Sequence, residues 1–301
     1  MGEPRRITFD LDALRSFVAG VELGSFSLAA QRLHRSTSAV SAQLKKLEQQ
    51  SGAILLQKRG RGLAVTASGE VMLAYARRLL ELNDEAAGAI TGQDLDGSVR
   101  IGMQEDFGET LLPAILGQFS RAHPQVRISA RIGRNAELLD GIIRDDLDLA
   151  LSWQGEPTTA HARQLQSVAL HWIGSPRWEP GAYLGSNEPL PLLVFDAPCI
   201  MRSFATAALD RAGVPWRVAF TSRSLSGIWA AASAGLGITV RSAIGKPDTL
   251  RLLDHPALPA LPALGIVLHQ SHAELPAATA RLGEIICRQL AAGAFTRQEI
   301  A

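Results

Sequence analysis

Ser36, Thr37, Ser38, Ser41 and Lys45 fall within ten positions, and the basic run Lys58-Arg59-Gly60-Arg61 follows shortly after. Small hydroxyls and amines at this density can donate to phosphate oxygens and to base edges, with no bulky side chain in the way. A second set of residues suits a small ligand. Gln104, Glu105 and Asp106 follow one apolar run, and Gly133, Arg134 and Asn135 follow the next. Ser152 and Trp153, then Cys199, Met201 and Arg202, then Ser222 and Ser224, stand after further runs. Ligands of open α/β sheets bind past the carboxyl ends of strands and near helix N-termini, where these residues fall. Arg134 and Arg202 suit an anion, whereas Glu105 and Asp106 suit a cation or an amine, so the sequence leaves the ligand's charge open.

Other patterns that look like chemistry have plainer readings. Gly235-Leu236-Gly237 holds part of a dinucleotide fingerprint, but it leads from helix into strand, so it reads as a tight turn. His269 and His272 have metal-like spacing with Glu274 as the one close acid, and they read as a strand end and a turn. Cys199 precedes a helix, which favours a thiolate, but the other cysteine, Cys287, is distant. No G-x-S-x-G, P-loop or H-E-x-x-H occurs, and no nucleophile–base constellation. No enzyme activity, cofactor or metal is expected.

The elements that must position the first set are short helices. Leu14, Phe17, Val18 and Val21 recur at helical spacing, and Gly24 ends that run. Ser25 caps a second helix with Phe26, Ala29, Ala30 and Leu33 on one side, and His34-Arg35 turns the chain. Ser36 or Thr37 caps a third helix to about Gln50, whose Val40, Leu44 and Leu47 form one narrow apolar stripe. Its opposite arc holds Ser38, Ser41, Ala42, Lys45, Lys46 and Gln49, a face that can lie in a DNA major groove. The alanines let the pair cross closely, as in a helix-turn-helix. Residues 54–65 read as two short strands around the basic turn, a wing for the phosphate backbone. From Thr66 a long helix follows, with Met72, Tyr75, Leu79, Leu82, Ala86 and Ala89 as a heptad seam that wants a partner.

Charge supports this division. Residues 1–66 hold ten Lys/Arg against five Asp/Glu, while the remainder holds 20 against 24, although the whole chain of 301 residues is only +1. A basic front on a mildly acidic body points to a polyanionic partner. Two distant cysteines fit a reducing compartment, and no run reaches the ~18 apolar residues of a membrane span. The first 17 residues carry no uninterrupted apolar segment of signal-peptide length, so a cytoplasmic protein is expected.

Positions 9–70 resemble the LysR-type transcriptional regulators. The resemblance is carried by the order of small residues, the Ser38-Ala39-Val40-Ser41 core of the third helix, the Leu47-Glu48 pair and the Val65–Glu70 lead into the long helix. Asn83–Ala86 and Val214–Phe220 look most like a branch that regulates motility and virulence genes. Thr37 stands where the family often has Gln; it can still reach a phosphate. The resemblance implies a sequence-specific regulator of double-stranded DNA, with Ser36, Thr37, Ser38, Ser41, Lys45, Arg59 and Arg61 on the nucleic acid. It also implies antiparallel pairing of the long helix in a homodimer, or a homotetramer built from two.

Beyond a polar turn at residues 93–98, strands and helices alternate, giving an α/β body expected to have parallel strands. Strands are expected at 99–103, 126–132 and 147–152, then at 170–174, 192–195, 217–221, 238–241 and 264–269. Two crossovers divide this body into two lobes around a cleft. The expected organisation is a winged helix-turn-helix domain at 1–66, a dimerising linker helix at 67–92 and an effector-binding domain at 98–301. Lobe I would span 98–163 and 270–301, and lobe II 164–269. The resemblance implies a periplasmic-binding-protein-like body whose small-molecule effector meets Gln104, Arg134, Asn135, Ser152, Met201, Arg202, Ser222 and Ser224. Many effectors of the family are small carboxylates, and the family often has Ser or Thr where Glu105 and Asp106 stand. A binding module without DNA function is the alternative, which the basic front argues against; an α/β enzyme is the third reading.

Overall fold

The computed structural model describes residues 7–59, 62–91, 95–155, 158–179, 181, 183–184 and 188–291. The chain divides into two compact units, Met1–Gln93 and Asp94–Ala301.

In the first unit, α1 (Leu11–Glu22) starts at Asp10, whose carboxylate accepts from the Ala13 N–H at 3.0 Å. Ser25 caps α2 (Phe26–Arg32), and Ser36 caps α3 (Thr37–Ser51). A Cβ at Gly20 would lie 1.8 Å from the Phe26 ring, so any larger residue there requires that ring to move. The turns use left-handed backbone at Gly24, His34 and Gly52. Ala13, Leu14 and Phe17 of α1 bury against Leu47 and Leu55. Glu48 fastens the same corner by accepting from the Leu55 N–H at 2.8 Å, so the Leu47-Glu48 pair buries one side chain and uses the other as a clamp. Strands β1 (Leu56–Arg59) and β2 (Gly62–Val65) pair antiparallel and form the expected wing.

Thr66 caps α4 (Ala67–Thr91), accepting from the Gly69 N–H at 3.0 Å and donating to the Ile54 carbonyl at 2.7 Å. At 25 residues the helix is about 37 Å long. Its apolar residues serve two faces. Met72, Leu73, Ala76 and Leu80 are buried in the unit's own core, and Arg15–Asp84 and Arg77–Glu22 ion pairs hold α4 to α1. Met72, expected in the open seam, therefore belongs to the core. Tyr75, Leu79 and Leu82 stay exposed, joined by Val71 and Ile90. The side chain of Ala89 lies outside the described residues.

The second unit contains β3 (Ser98–Met103), α5 (Glu105–Gly108), α6 (Leu112–Ala122), β4 (Arg127–Ile132), α7 (Asn135–Ile143) and β5 (Leu149–Trp153). Next come β6 (His161–Ala169), β7 (His171–Gly174), β8 (Leu190–Phe195), α8 (Ile200–Ala212), β9 (Trp216–Ser222) and α9 (Leu225–Ser233). β10 (Thr239–Arg241), β11 (Arg251–Leu252), β12 (Ala263–Gln270) and α10 (Ala277–Ala291) complete it. One sheet has the order β4-β3-β5-β12-β6. Only β3, β4 and β5 run parallel; β12 is antiparallel to both β5 and β6, so the sheet is mixed. The second lobe carries β10-β7-β11 and a parallel β8-β9 pair, with Leu192 bridging to Ile238. The two crossovers are β6 and β12, which pair along their length in the first sheet. The expected lobe limits at 163/164 and 269/270 cut these strands, whereas hydrogen bonding keeps each whole within lobe I.

Ser152 and His269 meet beneath this sheet. Ser152 is fully buried and lies 3.0 Å from His269 Nε2, while Thr159 Oγ1 lies 2.8 Å from Nδ1. His272 is exposed, so the His-x-x-His pair is a core residue at a strand end followed by a turn residue. Burial pushes the His269 pKa below its usual range. The unfolded chain then takes up the proton first, and stability should fall as pH drops below about 6.5. Thermal midpoints measured between about pH 7 and pH 5 should decline, and more steeply in wild type than in His269→Gln. Equal slopes would show that this histidine does not contribute.

Candidate functional site

The outward face of α3 is assembled as the sequence suggests. Thr37, Ser38, Ser41, Ala42, Lys45, Lys46 and Gln49 are exposed, while Val40 and Leu47 are fully buried. The first turn is ordered by its own hydroxyls. Ser36 accepts from the Ala39 N–H and lies 2.9 Å from Ser38 Oγ, and Ser41 donates to the Thr37 carbonyl at 2.9 Å. Two nearby cations are already paired, Lys46 with Asp10 and Arg35 with Asp12. Lys45 has no carboxylate partner among the described residues. Arg59 is in β1, but its side chain lies outside the described residues, as does Arg61 altogether.

Between the lobes of the second unit lies a cleft of about 920 Å³. Gln104, Arg134, Asn135 and Met201 line it, as do Glu105, Asp106, Gly133, Trp153 and Cys199. Four expected residues do not. Ser152 sits one residue before the strand end, and alternation turns it into the core toward His269. Arg202 directs its guanidinium to the Phe195 carbonyl at 3.4 Å. Ser222 and Ser224 are consumed at the start of α9, where Ser222 accepts from the Ser224 N–H and Ser224 from the Gly227 N–H.

Several contacts among the described residues join the lobes across the cleft. Arg134 donates to the Asp196 carboxylate and to its carbonyl, both at 2.7 Å, with the guanidinium 5.4 Å from the Phe195 ring centre. Glu105 accepts from the Leu225 N–H at the start of α9. Its pKa is raised, chiefly by burial and against the lowering effect of that bond. At the floor, Asp106 and Arg241 face each other at 3.8 Å, both almost wholly buried. Arg241 also lies 4.3 Å from the Phe195 ring centre. On the lobe I side, Gln104 donates to Asn135, which in turn donates to the Trp153 carbonyl at 2.8 Å.

Sequence reasoning missed Asp196, Phe195 and Arg241. Asp196 and Phe195 close β8 and could have been reached by the same strand-end rule. Arg241 closes β10 and falls under the same rule, but its charge reads as the polar end of a short strand followed by Ser242.

Residues 11–70 match the family model of the bacterial regulatory helix-turn-helix protein, lysR family, and residues 92–288 match the LysR substrate binding domain. Curated relatives include HTH-type transcriptional regulator PecT of Dickeya dadantii (strain 3937), 36% identical over 85% of this chain and 80% of the relative. DgdR of Burkholderia cepacia, also an HTH-type transcriptional regulator, is 37% identical over 87% of each chain. Among solved structures, HinK from Pseudomonas aeruginosa, a LysR family transcriptional regulator, aligns with a TM-score of 0.54 at 20% identity, covering 94% of this chain and 99% of HinK. Vibrio fischeri DarR in complex with DNA aligns with a TM-score of 0.53 at 17% identity, covering 93% and 99%.

Proposed function

The chain belongs to the LysR family and is a DNA-binding transcriptional regulator with a substrate-binding domain; on that premise we propose that a small-molecule effector enters the cleft and alters DNA binding by changing lobe closure. The observation that carries this reading is the Arg134–Asp196 ion pair. It spans a cleft lined from both lobes, and a ligand can compete for either partner. A ligand shifts such an equilibrium only by its differential affinity for the two states, so contacts from both sides are what the device needs. The family's members are regulators rather than enzymes, and the cleft is read as a binding site.

On the DNA side, Ser38, Ser41 and Lys45 are assigned to the major groove, Ser36 and Thr37 to a phosphate at the α3 N-terminus, and Arg59 and Arg61 to the backbone beside it. Exposure of the whole α3 arc and the unpaired Lys45 support this assignment. LysR regulators form oligomers, and a homodimer or homotetramer joined through the exposed α4 seam is assigned here. Among the described residues no helix is long and apolar enough to cross a membrane. We assign the protein's work to the cytoplasm, which a DNA partner supports.

Arg134→Ala tests the coupling without a known effector. Amide exchange should rise at residues 134–140 and 195–200. Affinity for specific DNA should change by about fivefold or more, a typical coupling between two sites. Faster exchange with unaltered DNA affinity would mean that lobe closure is not coupled to DNA binding.

A further inference from the structure

Among the described residues the cleft lining holds five carboxylates against three guanidiniums. Each guanidinium already faces a carboxylate: Arg241 faces Asp106 at 3.8 Å, while Arg134 and Arg223 share Asp196 at 2.7 and 3.6 Å. The surplus is negative. Glu105 belongs to it, and its carboxylate occupies the α9 N-terminus across the cleft. A helix N-terminus is where a ligand's anion would otherwise dock. Here the chain fills that position with its own acid.

A second observation concerns hydrogen bonding. Asp106 is 2% exposed and lines the cleft, yet its Oδ1 accepts no hydrogen bond: it faces Arg241 Nε at 3.8 Å, beyond hydrogen-bond reach, while Oδ2 accepts from Trp153 Nε1 at 3.3 Å. A buried carboxylate oxygen without a donor is costly, and a ligand supplying that donor recovers the cost. An O–H or an N–H can be that donor, and the surplus negative charge favours the cationic N–H of an ammonium. We propose that the ligand is recognised through a protonated primary amine, which donates to Asp106 Oδ1 while Glu105 offsets its charge. This rests on the cleft being the effector site. Arg241 Nε and Nη2 make no hydrogen bond either, although Nε faces Asp106, so the same ligand can carry a carboxylate. Free amines and amino acids share the recognised group.

Matched compounds separate the two sources and the alternative. Full-length protein would be melted with phenethylamine, phenylalanine and phenylpropanoate, and with isoamylamine, leucine and isocaproate, followed by calorimetric titration of those that raise the midpoint. Amine-bearing members should stabilise the protein and the plain acids should not. A larger shift for the amino acids than for the amines would assign Arg241 to the ligand's carboxylate. Asp106→Asn should weaken binding by roughly tenfold or more. Because that change leaves Arg241 buried without a counter-charge, Glu105→Gln serves as the second variant. It keeps an acceptor for the Leu225 N–H and should also weaken amine binding. Stabilisation by the acids alone, lost in Arg134→Ala, would keep the cleft as an effector site and overturn the amine. So would a melt that no amine-bearing compound shifts, or a shift that both substitutions leave unchanged. Amine binding that depends on both acids but leaves DNA affinity unaltered would uphold the recognition chemistry and remove the regulatory role.

Discussion

Leu79→Glu should leave a folded monomer that has lost about a hundredfold or more of its affinity for specific DNA. Tyr75 and Leu82 are 59% and 61% exposed, Leu79 39% and Ile90 85%, all on the one helix α4. A run of large apolar side chains open to water on a rigid helix marks an association surface. The helix's own packing uses Met72, Leu73, Ala76 and Leu80 instead, so a charge at position 79 does not enter the core. Two joined DNA-binding units gain affinity because the second contact forms at high effective concentration, and a monomer forfeits that gain. Sedimentation equilibrium and fluorescence anisotropy on the same preparations would check it. An intact oligomer with wild-type affinity would remove the seam from the interface.

Ser41→Glu should be nearly as damaging by a different route. Ser41 is exposed near the middle of the α3 arc and bonds only to the Thr37 carbonyl of its own helix, so the substitution has little to disturb in the fold. On DNA it would hold a carboxylate against base edges and phosphates, with loss of specific binding by about a hundredfold or more. Lys45→Ala provides the graded counterpart. Affinity should fall on specific and random DNA alike, and the slope of log K against log salt should flatten by about one. Ser41→Glu binding like wild type at several salt concentrations would mean that α3 faces elsewhere.

Most of the first unit was legible in the sequence because its signals are local. Caps at Ser25, Ser36 and Thr66, left-handed turns at Gly24 and Gly52, and the Val40–Leu47 stripe each depend on residues a few positions apart. Met72 shows the limit of that reading. A heptad pattern says which residues share a face, but not which neighbour covers it, and the head's own core reaches Met72 first. In the second unit β6 was missed because it is an edge strand, His161–Ala169, with mostly exposed polar side chains that give no apolar alternation. The strand-end rule found Gln104, Arg134 and Asn135, which follow their strands into the cleft, and Met201, which reaches it from the first turn of α8. It failed for Ser222 and Ser224, whose hydroxyls are taken by the adjacent helix start, and for Ser152, which alternation turns inward. The cross-lobe contacts link residues 62, 120 and 135 positions apart, Arg134 with Asp196, Glu105 with Leu225 and Asp106 with Arg241. No local spacing encodes pairs of that kind.

The most direct test of the protein as a two-fold, sequence-specific DNA reader is a hydroxyl-radical footprint of the full-length chain. It would be taken on the genomic site with the highest occupancy, with random-sequence DNA as the control. The expected result is two protected half-sites forming an interrupted palindrome, centred on one face of the duplex at a multiple of about one helical turn. A single protected patch, or equal protection of random DNA, would contradict it.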